Sequence, residues 1–240
     1  LVASAVGLLT LVLAVCLWLR ESRAWVRWLG SAALLLVMIQ GVVGGLRVIW
    51  LESEFAIIHA VFAQAFFGLM VALTLFTSRP WREAIPRHAV GAWTMFQWSC
   101  CATTLLIFSQ SLLGAVIRHA GTAVVVHILV ALVIAVQVSF VVVKAFKLAD
   151  EVPVFRTLSV SLGLLLMVQV ALGVVSYAGR FLSFDGFWEP NVIVAVTTAH
   201  VVTGALMFAL GVVMTLWAFR LFGAHWLPPA DEIAPEGVTA

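Results

Sequence analysis

The chain has 240 residues, of which 64% are hydrophobic and 10% charged, with a mean hydropathy of +1.16. A water-soluble domain carries roughly a quarter charged residues, so this composition excludes one and points to a polytopic membrane protein. The net charge of +2 marks no acidic partner, and no nucleic acid is expected.

Seven stretches are long and nearly free of fixed charge, at about 1–19, 28–46, 55–78, 89–117, 119–143, 157–179 and 190–219. Each is long enough to cross a hydrocarbon core of about 30 Å as a helix, the form that satisfies its own backbone there. The expected fold is an all-α polytopic membrane helix bundle. No initiator Met, basic n-region or cleavage site opens the chain, so the first stretch does not read as a signal peptide. Cys16, Cys100 and Cys101 all fall inside apolar stretches, without disulfide or metal-binding spacing. Ten basic residues (Arg20, Arg23, Arg27, Arg79, Arg82, Arg87, Lys144, Lys147, Arg156 and Arg220) fall in alternate connections, against Arg47, Arg118 and Arg180 in the others. The positive-inside rule assigns the ten to the cytoplasm, together with the C-terminus. Trp25, Trp28, Trp50, Trp81, Trp188 and Trp226 read as interfacial belts. A bacterial cell membrane is the expected setting.

One unit recurs three times along these stretches. Gln40, Gln110 and Gln169 are each followed four residues later by Gly44, Gly114 or Gly173, and then by Arg47, Arg118 or Arg180. The next stretch carries a histidine near its start: His59, His127 or His200. Glycine at this spacing suits close helix packing, and the glutamine could line a pocket; the two roles are compatible. The three histidines are expected in the first turns of helices entering from the outer face, hence at one depth.

The segment 79–91 divides the chain into a first half, 1–78, and a second half, 92–222, followed by a polar tail, 223–240. In each half Gln-x3-Gly precedes the helix with the last histidine, so the halves read as pseudo-repeats about an axis along the membrane normal. The helix beginning with His127 then corresponds to the first stretch, which lacks a histidine. The repeat predicts one immediately upstream of Leu1, and an eighth helix before it.

Neutral imidazoles on two facing helices can clamp a metalloporphyrin, and His127 with His200 is the strongest pair. The alternative for each is a bond to a neighbouring helix's carbonyl or hydroxyl. Gly204, one turn below His200, would let a flat macrocycle approach the backbone. His59 is the candidate catalytic and metal-binding residue of the first half. Glu52 and Glu54 precede it, either as a solvated loop or as a proton relay. Arg47, Arg118 and Arg180 suit carboxylates such as porphyrin propionates, or snorkel to the interface. His119 could join them; His88 and His225 read as structural or solvent-exposed.

Gln40-Gly-Val-Val-Gly-Gly-Leu-Arg47 with Ile57-Ile-His59-Ala-Val-Phe-Ala-Gln64 resembles the third and fourth helices of the haem A synthase family. Gly114-Ala-Val-Ile-Arg118-His119-Ala-Gly121 resembles its Gly-x-x-x-Arg-His-x-Gly motif, and Thr197-Thr-Ala-His200-Val-Val-Thr-Gly204 its last helix. The glutamate-and-histidine motif of the family's second helix and its first external loop are not in this sequence. The resemblance implies eight helices in two halves and oxidation of the C8 methyl of haem O to the formyl of haem A. It implies haem b on His127 and His200, with His59 at the substrate haem. Haem O, haem O synthase and an electron donor are the implied partners, within membrane lipid; self-association into a homo-oligomer is left open. A b-type electron-transfer cytochrome and a non-enzymatic haem carrier are the alternative readings. A prenyltransferase is disfavoured, because Asp150 and Asp185 are isolated rather than clustered for Mg-diphosphate.

Overall fold

The computed structural model describes residues 2–84, 92–182 and 189–222. His88, His225, Arg87, Asp185, Trp188, Trp226, the rest of 85–91 and the tail 223–240 lie outside the described residues. The described chain is all-helical: α1 (Val2–Arg20), α2 (Ala24–Trp50), α3 (Ser53–Thr77), α4 (Arg79–Glu83), α5 (Ala92–Ala120), α6 (Val124–Lys147), α7 (Val154–Phe181) and α8 (Pro190–Phe222). All but α4 are long and apolar enough to span a membrane. Their outward surfaces remain apolar, with Leu19, Val136 and Met167 at least 70% exposed, as lipid-facing side chains should be. This is an integral membrane protein.

The long helices match the seven predicted stretches, and most run several residues past the predicted ends. The excess is largest in α2, which spans Ala24–Trp50; α8 is the longest helix, its 33 residues spanning roughly 50 Å at 1.5 Å per residue. The connections are short. Leu51 and Glu52 alone join α2 to α3, with Leu51 left-handed at φ 56° and its N–H on the Arg47 carbonyl. Residues 121–123 join α5 to α6 through Gly121 at φ 71° and Ala123 at φ 68°. Such turns force each pair to pack antiparallel.

The two halves differ in closure. Helices α5, α6, α7 and α8 pack in a ring, each against the next and α8 back against α5, with no backbone contact across either diagonal. The first half is a row: α2 packs on α1 and α3, while among the described helices the backbone of α1 approaches only α2. Helix α3 docks the row onto the edge formed by α5 and α8. Small residues permit these approaches. A Cβ on Gly68 of α3 would lie 2.8 Å from the Phe208 ring of α8, and one on Gly211 of α8 would lie 2.9 Å from Thr104 Oγ1 of α5. Polar side chains add cross-helix bonds: Thr104 with Thr215 at 2.9 Å, and Gln97 Nε2 donating to the Ala218 carbonyl at 3.3 Å.

The segment read as a linker contains α4, capped at Ser78, whose hydroxyl accepts from Trp81 N–H at 3.4 Å. This turn corrects the reading of Trp81 as an interfacial residue. Its indole is only 8% exposed and packs on Phe76 and Trp217 at centroid distances of 5.1 and 5.3 Å, beneath the Arg220 guanidinium at 5.7 Å. An indole folded inward by a helical turn gains more from aromatic packing than from the headgroup layer. Trp25, Trp28 and Trp50 do face outward.

Candidate functional site

Each Gln-x3-Gly unit lies late in one helix of a hairpin, with its histidine early in the other. Residues four apart share a helix face, so glutamine and glycine both meet the incoming helix. In all three units the glycine faces the imidazole. A Cβ on Gly44 would lie 3.1 Å from Cε1 of His59 and 3.4 Å from its Nδ1. One on Gly173 would lie 3.1 Å from Cε1 of His200, 3.6 Å from Nδ1 and 4.0 Å from Nε2. One on Gly114 would lie 3.7 Å from Cε1 of His127, an ordinary contact. The glycines are seats for the rings.

The glutamines close the units by different bonds. Gln110 Nε2 donates to the backbone carbonyl of His127 at 2.8 Å. Gln169 Nε2 lies 3.4 Å from Nε2 of His200. Gln40 makes no side-chain hydrogen bond, and its Oε1 is buried. Oε1 of Gln110 and Gln169 and Nδ1 of His59, His127 and His200 are likewise buried without a hydrogen-bond partner. A buried unsatisfied polar atom costs roughly 1–3 kcal/mol. Six of them in three matched units form a polar zone inside an apolar bundle.

His59 is the seventh residue of α3, His127 the fourth of α6 and His200 the eleventh of α8. The expectation that all three lie in first turns therefore fails for His200. Helix α8 begins at residue 190, where the apolar stretch begins, and so carries His200 on its third turn. His200 nevertheless meets His127, their ring centroids lying 6.5 Å apart at 62° between planes. The two come from diagonal helices that share no backbone contact, so they meet across the interior of the α5–α8 ring. His59, on α3, belongs to the open row.

Beside Gly204, in this structure, lies the Gln169 side chain. A Cβ there would lie 3.1 Å from Nε2 of Gln169, so its space seats the glutamine amide. Arg47, Arg118 and Arg180 end α2, α5 and α7, are exposed, and form no ion pair among the described residues. All three lie within electrostatic reach of His119, and Arg47 also reaches His59. Three helix ends thus present one basic collar on the histidine side. At the opposite end Arg23 Nη2 donates to the Phe76 carbonyl at 2.9 Å, and Arg220 Nη2 to that of Ala84 at 3.1 Å. Glu52 and Glu54 are exposed, Glu52 at the N-cap of α3 and Glu54 within its first turn rather than in a loop. Gln64 and Ser176 also bury an unpaired polar atom, although neither was among the candidate residues. Neither has a repeated partner in the sequence, and the tertiary fold alone marks them. Gln64 lines a small crevice between α3 and α5 with Ala60, Val61, Phe108, Ser111 and Leu112.

The class that fold and site define is a helical membrane protein with seven long apolar helices among the described residues and paired interior histidines. Comparison with family models, with characterised proteins and with solved structures returns no match.

Proposed function

We propose that this protein is a membrane haem-modifying oxidoreductase of the haem A synthase type. The observation that carries the reading is the meeting of His127 and His200 across the α5–α8 ring, with centroids 6.5 Å apart. Among the described residues no three His, Cys, Asp or Glu side chains converge in a set able to hold a metal ion. Two imidazoles suit a metal whose remaining ligands come from a macrocycle, as in haem b. Within this reading His127 and His200 bind the resident haem b, and the α5–α8 ring shields it from lipid and water. Haem supplies the redox chemistry that side chains lack.

The collar of Arg47, Arg118 and Arg180 fits the propionates of a porphyrin lying near the histidine side, because a guanidinium binds two carboxylate oxygens at once. His59, seated on Gly44 in the open row, fits the substrate haem O. A farnesylated porphyrin is itself a membrane solute and can enter sideways between lipid-facing helices. The resemblance of the Gln40–Arg47, Gly114–Gly121 and Thr197–Gly204 segments to haem A synthase supplies the reaction, oxidation of the C8 methyl to a formyl. The more basic end, with the C-terminus, is then cytoplasmic.

The test is extraction and mass identification of the haems in the purified protein, together with the haem content of cells lacking it. Haem b in the protein and haem O accumulating in those cells are expected. Haem b alone, with normal haem A in the cells, overturns the enzyme in favour of an electron-transfer cytochrome. No haem in the protein overturns the site.

A further inference from the structure

The glycine of each unit faces the imidazole, but it also stands four residues after a glutamine. In an α-helix the N–H of residue i bonds the carbonyl of residue i−4, so the Gly44 N–H is paired with the Gln40 carbonyl and the Gly173 N–H with that of Gln169. A carbonyl has a second lone pair. A side chain at the i position ordinarily screens it; glycine does not. In both units the imidazole edge against the glycine carries Nδ1. That atom would lie 3.4 Å from a Gly44 Cβ and 3.6 Å from a Gly173 Cβ, nearer than Nε2 in each case.

The backbone of Gln40 lies against the His59 ring and that of Gln169 against the His200 ring, yet no aligned hydrogen bond closes on either Nδ1. Closing that bond requires a turn of each ring within its seat. Gln169 Nε2 lies 3.4 Å from Nε2 of His200, a contact whose donor depends on the tautomer.

We propose that Gln-x3-Gly is a backbone window: the glycine uncovers the glutamine carbonyl, which holds the Nδ1–H of the histidine on the next helix and leaves Nε2 as the free electron pair. The backbone of Gln40 positions His59 and that of Gln169 positions His200, so both rings are presented as ligands or proton acceptors through the same nitrogen. His127 is held differently, through its own carbonyl on Gln110 Nε2, with Gly114 in looser contact. A ligating histidine generally gives its second N–H to a carbonyl or carboxylate, which fixes its tautomer and raises its basicity. This inference deepens the reading of the histidines as ligands, but the tautomer can be read without any porphyrin.

The experiment is ring-nitrogen NMR of ligand-free protein labelled with 15N-histidine, in lipid nanodiscs at a pH where the imidazoles are neutral. Single His→Ala variants assign the signals. His59 and His200 are expected as Nδ1–H tautomers. The Gly44→Ala variant should shift the His59 tautomer balance and leave His200 unchanged; Gly173→Ala should do the reverse. Gly41→Ala and Gly45→Ala serve as controls, since a Cβ at either position meets nothing within 4 Å. Gln169→Ala keeps the carbonyl and should keep the His200 tautomer. A switch to Nε2–H in that variant would assign the role to the side chain and overturn the window. Nε2–H in the wild-type protein for either histidine overturns it without any glycine variant, including a variant that fails to fold. Failure of the haem reading would appear only in the extracted haems.

Discussion

Around α5–α8 every helix has two neighbours in a closed ring, whereas along α1–α3 the backbone of the end helix α1 approaches α2 alone among the described helices. The buried core follows this difference. The second half contributes most of a large aromatic cluster built on Phe96, Phe155, Met207, Phe208 and Trp217, while the core of the first half is Leu17, Val26, Ala33 and Leu73. Both halves carry Gln-x3-Gly and a glycine-seated histidine, yet only the ring provides a diagonal across which two histidines meet. The repeated unit seats a ring; closure supplies its partner.

The largest contrast between the halves is expected at the histidines. On the haem reading, His127→Ala or His200→Ala should abolish a low-spin b-type absorbance, because either change removes one of the two imidazoles that would hold the haem. His59→Ala should leave that absorbance and block haem A formation. A normal reduced spectrum in both ring variants would sink the assignment. Normal haem A from the His59 variant would move the reading to a cytochrome or a carrier.

Next in size is the joint between the halves. Gly68→Leu drives a side chain into the Phe208 ring, 2.8 Å from the position of its Cβ. Overpacking of this kind costs about 1–3 kcal/mol, visible as a lower Tm in detergent. Gly7→Leu on α1, where a Cβ meets nothing within 4 Å, should leave Tm unchanged. Equal effects from the two would mean that the row does not dock through α3.

A smaller effect belongs to the first half alone. Glu21 and Arg23, between α1 and α2, form a two-bond ion pair at 2.9 Å for each bond. The hydrogen bonds from Arg23 hold the Glu21 carboxyl down from 4.5 to about 2, while the same pair raises Arg23. A lowered carboxyl stabilises the fold above its unfolded pKa, and that stability is lost as pH falls. Wild type and Glu21→Gln should therefore differ by about 1 kcal/mol near neutrality, as for a well-formed surface pair. They should converge as pH drops from about 4.5 to about 2. A Tm gap that persists at the acid end would remove the pair as the cause.

The smallest effect lies inside the ring. Thr104→Val should cost about 0.6 kcal/mol, the typical value of a hydrogen bond between membrane helices. Thr104→Val with Thr215→Val should cost less than the sum of the two single changes, because neither then leaves a partner unsatisfied. Additive losses in thermal melts would show that the hydroxyls do not act as a pair.

Much of this molecule follows from its residue pattern alone. Charge-free stretches long enough for a bilayer must be helical, because lipid offers the backbone no partner, and their number and approximate limits were legible on that ground. The three Gln-x3-Gly units and their histidines were legible because the spacing repeats. The charge split was legible because basic residues gather at alternate ends. Other features depended on which helices become neighbours. A one-dimensional pattern could not turn Trp81 inward through α4 or give the space beside Gly204 to the Gln169 amide. Nor could it set His127 and His200 across a diagonal rather than along a shared face. Hydrophobic periodicity carries little rotational information in a membrane, since lipid and protein interior are equally apolar. Small residues and side-chain packing decide which faces meet, and those contacts exist only in three dimensions.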